Sequence, residues 1–322
     1  MSTPQDRFRS SRVLVALAVL AALGLGGYYA LRGLRPAEIG AALHRARPLP
    51  LVAAALAALA MQACRGLFWR LALKPPRPIA LPRFVRYTIL GNAASALLPA
   101  RAGEAVRVWL LVELDGVQAV DAVGAALAER ALDVASMVLV LAPLPLLLPG
   151  GPPWVIRTLA LLGVAGAAIV VAVAVIARRT PRGDGLLARL ARALSQLSSW
   201  PRLGAGIAVL TLAWLFDLGA LILVGHALGL SLPPAAPFLV LLTVNLAIAV
   251  PAAPAQLGSH EAGTLLALAL LHTPRAEAVA FALLYHAAHV LPLLAAAALD
   301  APLLYRGLAG VNRRRAAPSR AP

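Results

Sequence analysis

The chain has 322 residues, 61% of them hydrophobic and 13% charged, with a mean hydropathy of +0.83. A soluble domain is typically about 45–50% apolar and about 25% charged, so the composition excludes an ordinary globular protein and points to a polytopic membrane protein. The 29 Lys+Arg against 13 Asp+Glu give a net charge of +16, but the basic residues gather in short loops and tails, which reads as membrane topology and contact with anionic lipid, not nucleic acid.

Arg7, Arg9 and Arg12 precede an apolar run, Val13–Leu31, with no obvious small-residue cleavage site. This pattern predicts a basic cytoplasmic N-terminus (1–12) and a retained signal-anchor. A span needs roughly 20 mostly apolar residues. Full-length candidates are 13–31, 49–69, 121–148, 154–177, 204–229 and 278–300. Pro36–Ala46 reads as a short interfacial helix. The single cysteine, Cys64, excludes an intramolecular disulfide and a Cys-cluster metal site.

Two further apolar regions, about 84–111 and 237–271, are interrupted at Pro99–Glu104 and Pro251–Glu261. Their halves are too short to cross alone and suit re-entrant hairpins. The positive-inside rule supports this. With the N-terminus inside, loop 65–86 (Arg65, Arg70, Lys74, Arg77, Arg83, Arg86), loop 178–202 and the tail 306–322 all fall on the cytoplasmic side. Full crossing by both broken regions would turn loop 178–202 and its arginines outward. The expected fold is therefore all-α, one membrane domain over 13–305, with six full spans and two opposed re-entrant hairpins.

The interruptions resemble each other. "NAASALLPARAGE" (Asn92–Glu104) and "NLAIAVPAAPAQLGSHE" (Asn245–Glu261) both carry an Asn, an apolar run, P-x-x-x-G (Pro99/Gly103, Pro254/Gly258) and a Glu. Inverted repeats of discontinuous helices are a transporter device. Proline removes a backbone donor and glycine permits unusual dihedrals, so backbone groups freed there need a cavity or protein partners.

Charge marks the same places. Glu104 lies three residues from both Arg101 and Arg107, a spacing that lines one helix face. Glu129, Arg130 and Asp133 fall inside the 121–148 span. A charge at the bilayer centre costs about 2.5–3.5 kcal/mol, so these groups should face the bundle interior, with Glu129 or Asp133 pairing with Arg101 or Arg107. Asp217, mid-span, is either a satisfied structural acid or part of a polar path. "SHEAGT" (Ser259–Thr264) has Thr264 where a zinc-binding H-E-x-x-H helix needs its second histidine. His286 and His289 share a face and would have to complete such a site. Glu261 reads better as a counterpart of Glu104 at a half-helix start. No G-x-x-x-x-G-K-[ST] loop occurs, so neither nucleotide nor metal nor other cofactor is expected.

"GNAASALLPARAGEAVRVWLL", "AERALDV", "VPAAPAQLGSHEAG" and "QACRGLFWRLAL" together resemble the blocks of the lysylphosphatidylglycerol synthase transmembrane-region, or flippase-like, family. The resemblance covers most of the chain in order. It implies a multi-pass bacterial inner-membrane bundle with both termini cytoplasmic. It also implies translocation of a phospholipid, aminoacyl-lipid, glycolipid or hopanoid-type amphiphile. Carried over are Pro99, Arg101, Gly103, Glu104, Arg107, Glu129, Arg130, Asp133, Pro254, Gly258 and Glu261, with Asp217 added from its own charge. Arg101 and Arg107 would hold an anionic headgroup, Glu104, Glu129 and Asp133 would orient them, and Glu261 would act on the outer half. Two departures stand out. The glycine-rich turn P-G-G-x-G of the family is "PAQLG" here, with Ala255 and Gln256, and the tail 306–322 holds no soluble aminoacyl-transferase domain. The chain is thus expected not to be an enzyme. Its expected partners are lipids with anionic or zwitterionic headgroups, a separate lipid-modifying enzyme and further copies of itself. A non-transporting scaffold for a lipid- or glycan-modifying enzyme is the alternative, and an intramembrane metal hydrolase the remote one.

Overall fold

The computed structural model describes residues 36–97, 103–178, 199–249 and 256–316, and every regular element among them is helical. A helix satisfies its own backbone donors and acceptors, which an apolar environment demands. In chain order the helices are α1 (Pro36–His44), α2 (Pro48–Ala72), α3 (Leu81–Leu97), α4 (Gly103–Asp115), α5 (Ala119–Leu141), α6 (Leu144–Leu147), α7 (Pro153–Arg178), α8 (Trp200–Ala227), α9 (Ala236–Ile248), α10 (Ser259–Leu270) and α11 (Arg275–Ala316).

Among the described residues, five stretches are long and apolar enough to cross a membrane: Pro48–Ala72, Ala119–Leu147, Pro153–Ile176, Trp200–Ala227 and Arg275–Ala301. They coincide with five of the six predicted spans. The sixth, 13–31, lies outside the described residues. The α7 stretch has a mean hydropathy of 2.9 and leaves Leu161, Val164 and Val171 at 71%, 72% and 61% exposure. Such a surface would be costly in water and is natural against hydrocarbon.

Each broken region is two short helices, as its hydropathy predicted. α3 and α4 flank 98–102, and α9 and α10 flank the turn before Gly258. α4, α9 and α10 have 13, 13 and 12 residues, about 20 Å each, against a hydrocarbon core of about 30 Å. Two predicted boundaries need correction. Arg65 and Arg70 belong to α2, not to a loop, because α2 stays helical through Ala72. The last helix also runs on past the predicted span to Ala316. Its extension is rich in Ala, Leu and Arg, all good helix formers.

The chain divides into two compact units. The first takes its described residues from 36–55, 95–97, 218–249 and 256–290. Its α9 is buried along Leu239–Val244, and α10 buries Ser259, His260, Gly263, Thr264, Ala267 and Leu268, a repeating helical face. The two helices approach closely. A Cβ at Gly263 would lie 2.6 Å from Val244 Cα and 2.8 Å from the Thr243 carbonyl. The Thr243 hydroxyl donates to the Gly263 carbonyl at 2.7 Å. Small residues and interhelical hydrogen bonds are what join helices where no hydrophobic force acts between them. Both open ends of this pair, Leu232–Pro233 and Leu271–Pro274, line one cavity of about 330 Å³ together with Arg45 and Glu277.

The second unit takes its described residues from 56–94, 103–178, 199–217 and 291–316. Its core joins Phe68, Trp69, Phe84, Tyr87, Leu110, Leu111, Leu132 and Leu210. Here α3 and α4 run antiparallel. Arg83 donates to Asp115 at 2.8 Å and the Tyr87 hydroxyl donates to the same carboxylate at 2.6 Å, so the start of α3 is tied to the end of α4. Close approach again rests on glycine, since a Cβ at Gly91 would lie 2.8 Å from the Gly103 carbonyl.

Gly263→Ala is expected to destabilise the protein by about 1–3 kcal/mol, because backbone atoms, not a yielding side-chain tip, oppose the new methyl. Gly219→Ala, which meets nothing within 4 Å, is the control and should leave stability unchanged or slightly raised. Thermal unfolding in detergent checks both.

Candidate functional site

The second unit buries a group of charges that an apolar helix bundle would otherwise avoid. Glu129 on α5 is its centre. One carboxylate oxygen, Oε2, accepts from Arg107 at 2.9 Å and from the Trp69 indole N–H at 2.7 Å. The other, Oε1, accepts from Arg65 at 3.2 Å. Arg65 also reaches Asp133 at 3.2 Å. Helical spacing explains the convergence: Glu129 and Asp133 are one turn apart on α5, and Arg65 and Trp69 one turn apart on α2.

Aromatic faces complete the cage. The Arg107 guanidinium lies 5.0 Å from the Trp69 ring and that of Arg65 lies 5.4 Å from the Trp214 ring, a favourable placement for weakly hydrated cations. The Trp214 indole donates to the Asp133 carbonyl at 3.2 Å. Asn92 on α3 uses both ends of its amide, accepting from Arg107 at 3.2 Å and donating to Gln62 at 2.6 Å. Arg65, Arg107, Glu129 and Asp133 sum to zero charge. Two atoms of the cluster, Arg107 Nε and Asp133 Oδ1, are buried without a hydrogen-bond partner.

The predicted pairing of a span carboxylate with Arg107 is present as Arg107–Glu129. Glu104, in the first turn of α4, pairs with Arg130 of α5 instead of Arg107, at a half-exposed position. Gly103 is buried where α4 starts. Asp217 is buried on α8 and is not an unpaired acid. Pro99, Arg101 and Pro254 lie outside the described residues. Reading the sequence missed Arg65, Trp69, Gln62 and Trp214 as members of this cluster. The signal for Arg65 was its place inside a continuous apolar helix, one turn before a tryptophan.

The first unit carries a second polar group. Gly258 caps α10 at φ +85°, and its N–H donates to Glu261 Oε2 at 2.7 Å. Glu261 Oε1 lies 2.5 Å from His286 Nδ1. Glu261 therefore sits in the first turn of its half-helix, as Glu104 does. Gln256, where the resembled family has glycine, takes φ +60°. That left-handed backbone is disfavoured for a residue with a Cβ.

Membrane-grade helices enclosing a buried, balanced ion cluster define a multi-pass helical membrane protein. Within that class, the chain belongs to the family described as Lysylphosphatidylglycerol synthase TM region, whose model matches residues 13–297. A comparison with curated proteins finds no match. Family and fold together place the chain among membrane proteins of lipid-related function.

Glu129→Ala is expected to cost about 3–5 kcal/mol, since it leaves Arg107 buried without its carboxylate. Replacing Arg107 by Met in the same chain should recover part of that loss. Unfolding midpoints of the single and double variants in detergent check the coupling.

Proposed function

We propose that this protein translocates an amphiphile with an anionic or zwitterionic headgroup between the leaflets of a bacterial inner membrane, without catalysing covalent chemistry. The supporting observation is the buried cluster around Glu129. Ionisable groups within spans are expensive and commonly mark substrate paths. This cluster keeps one spare donor, Arg107 Nε, and one spare acceptor, Asp133 Oδ1. A headgroup phosphate oxygen would compete with Glu129 for Arg107, because guanidinium binds both oxyanions in the same planar geometry. An ammonium substituent, as on an aminoacyl-lipid, would turn to Asp133 or Glu129. Arg101, four residues after Leu97 in the chain, would add a second cation, and Glu104 would hold Arg130. Asp217 would lie along the polar path, and Gly258 and Glu261 would shape the outer half.

The topology belongs to the same proposal. The termini are cytoplasmic, six segments cross, and 84–111 and 237–271 dip in and return. The tie between Arg83 and Asp115 supports return of the first hairpin to the side it entered. The shared cavity at the open ends of α9 and α10 supports the same for the second. Partners on this reading are the lipids themselves, a separate lipid-modifying enzyme and further copies of the chain.

In proteoliposomes containing labelled phosphatidylglycerol, a leaflet-resolved assay should show wild-type protein moving lipid. Asp133→Asn and Glu104→Gln should slow it by about tenfold or more, the equivalent of one charge-assisted hydrogen bond. Normal rates in both folded variants would refute the site. A folded wild type that moves no lipid, yet co-purifies with a lipid-modifying enzyme, would favour a scaffold.

A further inference from the structure

The incomplete H-E-x-x-[H] helix of α10 is completed in space by a different helix. His260 and Glu261 on α10 and His286 on α11 each offer a ligand atom, and these atoms lie within 4.8 Å of one another. All three residues belong to the same unit. The rings of His260 and His286 stack with centroids 4.4 Å apart, and His289 lies 6.4 Å from His260. His260 is 7% exposed, and its Nδ1 is buried with no hydrogen-bond partner. Buried polar atoms are normally satisfied, and an orphaned nitrogen on an imidazole stacked beside a carboxylate–imidazole pair needs a partner.

We propose that His260, Glu261 and His286 bind a divalent transition metal, with zinc the ion best matched to two imidazoles and one carboxylate. This inference departs from the sequence-based expectation of no metal. Zinc takes nitrogen and oxygen ligands at about 2.0–2.2 Å. The ion takes the place of the direct His286 Nδ1–Glu261 Oε1 contact at 2.5 Å, so those two ligand atoms separate by about 1 Å as His260 turns in. One outer contact already holds the carboxylate. Glu261 Oε2 is fixed by the Gly258 N–H at 2.7 Å, leaving Oε1 for the metal, the kind of support that orients metal ligands. Glu261 acts as a ligand here, whereas in a zinc-peptidase helix the corresponding Glu is the general base. The site therefore joins α10 to α11 and is not assigned hydrolysis. It stands independently of lipid translocation.

The test uses the full-length protein in detergent, loaded with Zn²⁺ or Co²⁺ and freed of unbound ion by gel filtration. Wild type should retain about one metal per chain, and bound Co²⁺ should give visible d–d absorption shaped by nitrogen and oxygen ligands. His289→Ala should retain the same amount. His260→Ala and His286→Ala should lose it while eluting as folded protein. The Co²⁺ spectrum of wild type requires no variant to fold. Wild type that retains no stoichiometric metal, or a folded His260→Ala/His286→Ala double variant that retains as much as wild type, overturns the proposal. Neither readout depends on whether the protein moves lipid.

Discussion

Glu129 is the group on which the second unit depends. A carboxylate cannot stay ionised in an apolar interior without donors to replace its water. It receives three: the guanidinium of Arg107, the guanidinium of Arg65 and the indole of Trp69. These come from α4 and α2, so one side chain on α5 fixes the position of two other helices. Arg107 matters most because α4 is only 13 residues long and too short to be held by crossing the bilayer. It is anchored through Glu129 and, at its far end, by Asp115 to Arg83 and Tyr87.

The two half-helix pairs use one packing rule and different chemistry. In each, a glycine lets backbone meet backbone: Gly91 against Gly103 and Gly263 against Val244. In each, a Glu opens the second half-helix, where the positive end of the helix dipole favours it. Their partners differ. Glu104 faces Arg130, a guanidinium, whereas Glu261 faces the imidazole of His286. The asparagines that mark the repeat diverge as well. Asn92 bridges Arg107 and Gln62, while the Asn245 amide donates to the Leu241 carbonyl of its own helix.

Spans and breaks were legible in the sequence because they depend on local composition over about 20 residues. The Arg107–Glu129 pair was legible by charge economics, since few partners exist for an acid inside a span. The remaining cluster was not. Arg65 lies near the end of its span and counted equally well as a topological charge. Only its i,i+4 relation to Trp69 pointed inward. Alanine covers every face of α2 and α5, so apolar periodicity does not reveal which face meets which. His286 stands 25 residues from Glu261, and no local pattern announces that contact.

Internal neutrality bears directly on the lipid-translocation reading. A site with surplus positive charge would bind a phosphate strongly and release it slowly. Here Arg107 already has a carboxylate, so an arriving anion gains only the difference between two similar partners. On that reading, when it left, Glu129 would close on Arg107 again and no buried charge would be stranded. Differential and not absolute affinity decides how far a ligand shifts such an equilibrium. A balanced cluster with one donor and one acceptor to spare would therefore suit passage of a headgroup better than its retention, and the Trp69 and Trp214 rings beside Arg107 and Arg65 would keep the arginines in place during such an exchange.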